Sequence, residues 1–225
     1  MAATQNQIAP LEQSRFNMIE QQIRTWEVLD PDVLSLLSIV KREDFVPEAH
    51  RSMAFVDMQV PLPHGQFMLE PKVEARLLQE VGVQRHERVL EIGAGSGYMA
   101  ALLAHRAQHV TTLEIDPELA MLATENLRKA WVMNASVIGA DGSRPLPVEG
   151  PFDVIVLSGS VNEVPRSLLG QLKAGGRLVG VVGQLPIMRA TLMTRGPEAG
   201  YSSVELFDTV APRLSGFGEP SRFIF

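Results

Sequence analysis

A short apolar strand that breaks into glycines and resumes as a helix constrains this chain more than any other stretch. It runs from Arg88 to Ala104 and reads RVLEIGAGSGYMAALLA. Residues 88–92 favour a strand and residues 99–104 favour a helix. Three glycines without a Cβ atom form the turn between them: Gly93, Gly95 and Gly97. A ligand can therefore approach bare backbone at this turn, as it does in α/β proteins.

The spacing of the glycines, GxGxG, indicates which kind of ligand the turn would take. Tyr98 stands where a dinucleotide fingerprint has its third glycine, which argues against NAD and for a smaller nucleotide. The helix that begins near Ser96 offers free amides and a partial positive charge, which suit a carboxylate or a phosphate. Glu91, beside the turn, suits a cation. S-adenosylmethionine, with its amino group, carboxylate and adenosine, fits both; the alternative is a glycine-rich turn in another α/β protein.

Two further acids follow at the ends of the next two predicted strands. Glu114 lies near the end of strand 109–115, about 20 residues beyond the first glycine, the distance at which an acid binds ribose hydroxyls. Asp141 follows strand 135–139, and its carboxylate would accept a hydrogen bond from the adenine amine. An Asp-Gly pair also commonly forms a turn. The predicted cofactor site comprises Glu91, Gly93, Ala94, Gly95, Gly97, Glu114, Ile115, Asp141, Gly142 and Ser158.

Composition argues against several other classes of protein. The chain has 225 residues, a net charge of -6 and no cysteine. The acidic balance argues against a nucleic-acid surface, which would need clustered Lys and Arg. Without cysteine there can be no disulfide, no thiolate zinc site and no cysteine nucleophile, and we predict no metal site. We find no signal peptide and no apolar run of membrane-spanning length, so we expect a cytoplasmic protein without a membrane partner.

The N-terminal region, residues 1–60, is predicted to be a helical subdomain. Residues 1–12 would form a frayed lead-in, followed by two helices separated at Asp30. Their apolar positions repeat at helical spacing: Phe16, Ile19, Ile23, Val33, Leu34, Leu37 and Ile39. The subdomain would cover one edge of a sheet, wall a substrate cleft, or do both.

Residues 61–225 are predicted to form a Rossmann-like, doubly wound α/β domain. Strands and helices alternate through the middle of the chain, so the sheet should be mainly parallel. A helix is expected at 71–81 and another at 164–172. The tail, residues 189–225, alternates in short runs that predict terminal strands completing the sheet.

A loop at residues 55–71 carries the candidate catalytic groups. It reads FVDMQVPLPHGQFMLEP, contains three prolines and shows no helical period. Loops often carry binding and catalytic groups, and His64 and Gln66 are the polar candidates in this one. The alternative for His64 is a hydrogen-bonded surface histidine.

These motifs resemble those of the protein-L-isoaspartate O-methyltransferases, a family within the class I S-adenosylmethionine-dependent methyltransferases. The resemblance spans nearly the whole chain. It rests on REDFVP, VLEIGAGSGYMAALLA, the Asp-Gly at 141, FDVIVLSGS with EVP, and QLKAGGRLVGVVG. It implies a seven-stranded sheet with helices on both faces, and repair of proteins by methylation of the misplaced carboxylate at an isoaspartyl residue.

One departure from this family falls in the loop at residues 55–71. Where the family carries Thr-Ile-Ser-x-Pro, this chain reads Phe-Met-Leu-Glu-Pro and places Leu69 at the serine position. An isoaspartyl carboxylate is ionised at neutral pH, so its attack on a methyl sulfonium needs alignment rather than a general base. The serine would then mainly bind substrate, a contribution of about 1.5–3 kcal/mol. Ser158 or Ser160 is a candidate replacement for the lost hydroxyl.

Three functions are compatible with these motifs. The first is a methyltransferase that acts on an isoaspartyl residue of a protein or peptide. The second, which Leu69 favours, is a methyltransferase of the same fold whose acceptor is a small molecule or another protein group. The third is a cofactor-binding protein without turnover, which the intact set of glycines and acids disfavours.

Overall fold

The computed structural model describes residues 10–148, 150–198 and 200–218. Most of the predicted lead-in, residues 1–12, and the last seven residues of the predicted terminal strands lie outside these ranges. The helices are α1 Pro10–Met18, α2 Pro31–Ile39, α3 Pro71–Val81, α4 Tyr98–Ala104, α5 Pro117–Lys129 and α6 Arg166–Leu169. The strands are β1 Val60–Pro61, β2 Phe67–Met68, β3 Arg88–Ile92, β4 His109–Glu114, β5 Ala135–Gly139, β6 Phe152–Val161, β7 Leu172–Gln184, β8 Ile187–Arg195 and β9 Tyr201–Thr209.

Seven of the strands form one sheet in the order β5-β4-β3-β6-β7-β8-β9. Strands β3 to β7 pair in parallel, and β8 is antiparallel to both of its neighbours. The predicted α/β class and the mainly parallel, Rossmann-like sheet are confirmed. The chain winds outward in opposite directions from β3 and β6, so the glycine turn after β3 lies where the strand order reverses, a common place for ligand sites.

Alternate residues of the central strands face opposite sides of the sheet and join different cores. Val89 and Val154 pack in a cluster with the N-terminal helices, α3 and α4, whereas Leu90 and Ile155 pack in a cluster with α6. This alternation follows from the two-residue period of a strand. Because helices cover both faces, residues 154–157 at the centre of β6 are continuously apolar.

The N-terminal helices cover one face of the sheet beside α3 and α4. Asp30 caps α2, since its carboxylate accepts a hydrogen bond from the amide of Asp32 at 2.8 Å. Of the apolar residues at helical spacing, Phe16 and Ile39 are 58% and 62% exposed, whereas the others are buried: Ile19, Ile23, Val33, Leu34 and Leu37. Helix α1 also buries Arg15, which pairs with buried Glu43. The boundary near residue 60 stays a prediction.

Several predicted elements are confirmed, and two need correction. The helix at 71–81 and the strands in the tail up to residue 209 are confirmed. The helix expected at 164–172 spans only Arg166–Leu169, because Leu172 already pairs with Phe152 in the sheet. The loop at 55–71 contains a hairpin of β1 and β2. No helix in the described part of the chain is long and apolar enough to cross a membrane.

Candidate active site

A cavity of about 250 Å³ opens at the carboxyl ends of β3, β4 and β6. The segment after β3 contributes Gly93 and Gly95, the segment after β4 contributes Ile115, and the segment after β5 contributes Gly142. Ser158 of β6 completes this side of the wall. The cavity therefore lies where the sequence predicts the cofactor, and it brings together residues from four separate parts of the predicted site.

Two glycines of the turn lie so close to other parts of the chain that a Cβ atom at either position would crowd a neighbouring residue. A Cβ atom on Gly93, whose φ is +91°, would lie 2.7 Å from a methyl carbon of Leu214. A Cβ atom on Gly97, whose φ is +86°, would lie 3.3 Å from the Cα atom of Ala123. Gly93 therefore admits the C-terminal segment to the cavity wall, whereas Gly97 lets α4 pack closely on α5 and does not line the cavity.

The amides of the turn are already used within the protein. Those of Gly93 and Ala94 donate to the carbonyl of Leu113 at 2.8 and 3.2 Å, and that of Gly95 donates to Glu114. Strand β4 therefore supplies the acceptors for these three amides, which lie before the helix start where the sequence predicts free amides. The helix predicted to begin near Ser96 begins at Tyr98, and the amide of Gly97 donates to the carbonyl of Ala94 at 2.7 Å. The remaining amides of this helix start stay the predicted donors for a ligand carboxylate.

Glu114 joins the glycine turn to the start of α5. Its carboxylate is buried and accepts hydrogen bonds from the amide of Gly95 at 2.8 Å and from the amide of Asp116 at 3.0 Å. Each oxygen accepts one of these bonds and retains a second lone pair, and the residue lines the cavity. A buried acid held by two amides is suited to accept hydrogen bonds from the two hydroxyls of a ribose.

Glu91 is fully buried and only half satisfied. Its Oε1 atom accepts a hydrogen bond from the hydroxyl of Ser158 at 2.6 Å, whereas Oε2 has no hydrogen-bond partner among the described residues. Burial raises the pKa of Glu91 to about 8, although the Ser158 hydroxyl opposes this shift. Burial therefore favours the protonated form of this side chain.

A smaller cavity of about 30 Å³ lies against Glu91. It shares Gly93, Gly95 and Ser158 with the larger cavity, and it has room for about two water-sized groups. An unsatisfied carboxyl oxygen beside such a space is suited to an ammonium group, because the added positive charge would favour the ionised carboxylate.

The hairpin of β1 and β2 brings Gln66 to the cavity and keeps His64 outside it. Gln66 and Phe67 line the cavity wall. The His64 side chain is 55% exposed, and its two ring nitrogens contact the carboxylates of Asp116 and Glu118. These are the contacts of a hydrogen-bonded surface histidine, the alternative that the sequence leaves open.

Leu69 is buried against the smaller cavity and supplies no hydroxyl there. Of the two candidate serines, Ser158 lines both cavities. Ser160 is fully buried, and its hydroxyl donates to the carbonyl of Ala211 at 2.9 Å. Ser160 therefore holds the C-terminal segment, and the hydroxyl hydrogen of Ser158 is already donated to Glu91. Contact between Ser158 and a substrate stays a prediction.

Asp141 forms a turn, whereas its neighbour Gly142 reaches the cavity. One carboxylate oxygen of Asp141 accepts hydrogen bonds from the amide and the hydroxyl of Ser143, at 2.9 and 2.6 Å. Ser143 and Arg144 hold the pKa of Asp141 below its usual range, against the effect of partial burial. Ile115 and Gly142 line the cavity on this side, so the structure offers their surfaces for an adenine ring.

The C-terminal segment after β9 forms a wall that the sequence interpretation missed. Residues 212–215 line the cavity, held there by a hydrogen bond from the Ser160 amide to the Pro212 carbonyl at 2.7 Å and another from the Leu214 amide to the Ser160 carbonyl at 2.9 Å. The run PRLSG, rich in turn formers, distinguishes this segment from the strands before it. The turn formers predict a loop here, but they do not indicate that the loop reaches the cavity.

A buried ionic cluster lies beneath Leu69. Arg42 is fully buried, pairs with Glu74, donates to the carbonyl of Leu69 at 2.8 Å and lies over the ring of Tyr98. Burial raises the pKa of Glu74 to about 7, and the guanidinium of Arg42 opposes the shift. The cluster fixes the backbone of residue 69 against the core, which the motif REDFVP did not reveal by itself.

Comparison with known proteins identifies the family of this chain. The family model for protein-L-isoaspartate(D-aspartate) O-methyltransferase matches residues 13–202. The chain belongs to this family. A protein-L-isoaspartate O-methyltransferase from Methanoculleus marisnigri is 40% identical over 77% of this chain and 79% of its own length. Another from Rhodopseudomonas palustris is 40% identical over 85% of this chain and 88% of its own length.

Solved structures agree on the fold of this methyltransferase. A Plasmodium falciparum protein described as a protein-L-isoaspartate O-methyltransferase, in complex with S-adenosyl-L-homocysteine, superposes with a TM-score of 0.77. It is 21% identical, and the match covers 92% of this chain and 99% of the other. The predicted family and the predicted class of enzyme, an O-methyltransferase, are confirmed.

Proposed function

We propose that this methyltransferase transfers a methyl group from S-adenosylmethionine to the misplaced carboxylate of an isoaspartyl residue in a damaged protein or peptide. One observation carries the proposal: Glu114 lines the larger cavity and the unsatisfied Glu91 lines the smaller one, and the two cavities share Gly93 and Gly95 of the glycine turn at the switch point of the sheet. The predicted cytoplasmic location, and the predicted lack of nucleic-acid, membrane and metal partners, stay predictions from composition.

The residues present fit the parts of this methyl donor. Glu114 would accept hydrogen bonds from the ribose hydroxyls, and Glu91 would pair with the ammonium group. Ile115 and Gly142 would contact the adenine, since both line the cavity beyond Glu114. The orphaned Oε2 atom of Glu91 supports this fit most directly, because a buried acceptor without a partner is costly unless a ligand satisfies it.

The chemistry asks this chain to position groups and exclude water. S-adenosylmethionine supplies, when bound, an electrophilic methyl group on a positively charged sulfur. The acceptor carboxylate is already ionised at neutral pH, so no residue has to remove a proton before it attacks. Leu62, Phe67 and Leu69 line the smaller cavity and would keep water from the reacting atoms.

A second candidate function is methyl transfer to a different acceptor by the same fold. Leu69 favours this candidate, because it replaces a hydroxyl at the family's serine position with a buried apolar side chain. Calorimetric titration with S-adenosylmethionine, followed by labelled methyl transfer to an isoaspartyl peptide, separates the two. Binding with transfer supports the proposal. Binding without transfer favours the second candidate, or a protein that binds the cofactor without turnover.

Leu69→Ser is expected to raise kcat/KM for an isoaspartyl peptide about tenfold to 150-fold. The introduced hydroxyl would donate to the charged acceptor, and such a hydrogen bond contributes about 1.5–3 kcal/mol. Labelled methyl transfer to the peptide measures the change. Leu62→Ser, which also adds a hydroxyl to the cavity lining, is the matched control and should give no gain. Equal rates for Leu69→Ser and the parent enzyme would contradict the assignment of residue 69 to the acceptor.

Cofactor binding at pH 7 is expected to release up to about one proton from Glu91. Because burial raises the pKa of Glu91 to about 8, the free protein holds this proton, and an ammonium group beside it would displace the proton. The affinity for S-adenosyl-L-homocysteine should therefore rise between pH 6 and pH 8. Calorimetry in buffers of different ionisation enthalpy measures the release. Glu91→Gln should abolish this proton release. If the variant released as many protons as the parent, the prediction would be contradicted.

A further inference from the structure

Residues 60–68, which we call the strap, lie along the larger cavity, where the cofactor is proposed to bind. Strands β1 and β2 pair within it, with Val60 opposite Met68, and the amide of Leu62 donates to the carbonyl of Gln66 at 2.8 Å. Leu62, Gln66 and Phe67 line the cavity. The strap is therefore one of its walls, and a ligand in the cavity would lie between the strap and the ends of the central strands.

The tip of the strap is tied to the first turn of α5. His64 has a left-handed backbone, with φ of +56°, which His tolerates better than most residues. Its Nδ1 atom contacts the carboxylate of Asp116, and its Nε2 atom lies 3.2 Å from an oxygen of Glu118. Both acids belong to the start of α5, so the strap and the helix are held together by one side chain.

The same helix start positions the acid predicted to bind ribose. Asp116 caps α5 by accepting hydrogen bonds from the amides of Glu118 and Leu119, at 2.9 and 3.2 Å. Its own amide donates to Glu114, whose other oxygen holds Gly95. A continuous series of hydrogen bonds thus runs from His64 on the strap to the glycine turn on the opposite wall.

The charge state of His64 decides how firmly the strap is held. Among the described residues, the charged groups that face its ring are Asp116 and Glu118, and the strap contains no other charged residue. The hydrogen bond to Asp116 and the two negative charges raise the pKa of His64 above its ordinary value near 6.5. The ion pairs are therefore complete below pH 6.5 and are lost as the pH rises through the raised pKa.

We infer that His64 is a positioning residue that holds the strap over the bound cofactor, and that loss of its charge loosens the strap and speeds cofactor release. This inference rests on the proposed function, because it requires a ligand in the cavity. His64 touches neither the cavity nor the reacting atoms. Its effect therefore reaches the ligand through Gln66 and Phe67 on the strap and through Glu114 on the opposite side.

The test follows the dissociation of S-adenosyl-L-homocysteine from the full chain by surface plasmon resonance between pH 6 and pH 9. His64→Lys keeps a positive charge throughout and supplies the reference rate constant at each pH, so the titration of Glu91, which all of these proteins share, cancels from the ratio of rate constants. The dissociation rate constant of the parent protein relative to this reference should rise about twofold to fivefold over this range, the change that exposed ion pairs support. His64→Asn, which tolerates the left-handed backbone, should exceed the reference by that factor at every pH. His105→Asn is the control. It replaces an exposed histidine that follows the last residue of α4, and it should behave like the parent.

The outcomes separate the inference from the proposed function. If the parent protein does not bind S-adenosyl-L-homocysteine, the proposed function fails and the inference fails with it. If the parent binds but His64→Asn keeps the parent's rate and pH dependence, the inference alone is overturned. Glu118→Gln supplies a second measurement that leaves the helix cap in place, and it should give part of the acceleration seen in His64→Asn. An unchanged dissociation rate constant in both His64→Asn and Glu118→Gln would contradict the inference that the strap holds the cofactor.

Discussion

Arg42→Met is expected to lower the free energy of unfolding by about 3–5 kcal/mol. Arg42 is fully buried, and its guanidinium pairs with Glu74 while donating to the carbonyl of Leu69. Removal of the guanidinium leaves a buried carboxyl group without its partner and a buried carbonyl without its donor. Loss of one partner from a buried ion pair is far more costly than loss of an exposed pair.

Urea unfolding of two further variants checks the cause of this loss. Arg51→Met removes an exposed arginine that pairs with Asp44 and Glu48, and it should change the free energy of unfolding by less than about 0.5 kcal/mol. The double variant Arg42→Met with Glu74→Leu should recover most of the lost stability, because neither member of this ion pair is then left buried without the other. A double variant no more stable than Arg42→Met would contradict the account, and it can be measured even where the single variant does not fold.

Glu114→Ala is expected to weaken the binding of S-adenosyl-L-homocysteine at least 100-fold. The carboxylate would accept two hydrogen bonds from the ribose, each contributing about 1.5–3 kcal/mol. It also holds the amides of Gly95 and Asp116, so its removal would loosen the turn and the helix start that border the cavity. The loss of affinity should therefore exceed what the ribose hydrogen bonds alone would cause.

Calorimetric titration measures this loss against that of a control acid on α5, the helix that follows Glu114. Glu125→Ala removes an exposed carboxylate that pairs with Arg128, and its affinity should stay within about twofold of the parent. Circular dichroism of the unliganded variants verifies that both fold. A loss of less than tenfold in Glu114→Ala would mean that the ribose lies elsewhere, and the orientation assigned to the cofactor would have to be abandoned.

The order and type of the central elements could be predicted because local patterns specify them. The helix Pro71–Val81 and the strand Ala135–Gly139 have the bounds that the sequence predicts, since proline, glycine and apolar spacing mark their ends. Glu91, Glu114 and Gly142 could be placed at one edge of the sheet for a related reason. The carboxyl ends of parallel strands meet at the same edge, so residues there converge whatever the loops do.

The polar contacts of the site could not be predicted in the same way. Asp141 bonds to Ser143 rather than facing the cavity, and the amides of Gly93 and Ala94 find acceptors on β4. Both outcomes depend on which acceptor lies nearest after the strands have paired. The segment at residues 212–215 reaches the cavity from a position more than a hundred residues beyond the glycine turn, and no local pattern carries that information.

The sequence by itself determined an α/β fold with a glycine turn and acids at the ends of its central strands, because strand and helix periods, caps and turn residues act over a few neighbours. The tertiary structure alone decided that Glu91 is buried and half satisfied, that Arg42 supports Leu69, and that His64 ties the strap to α5. Burial, pairing and the resulting shifts in pKa arise between residues that are distant in the chain, so they exist only once the fold has brought those residues together.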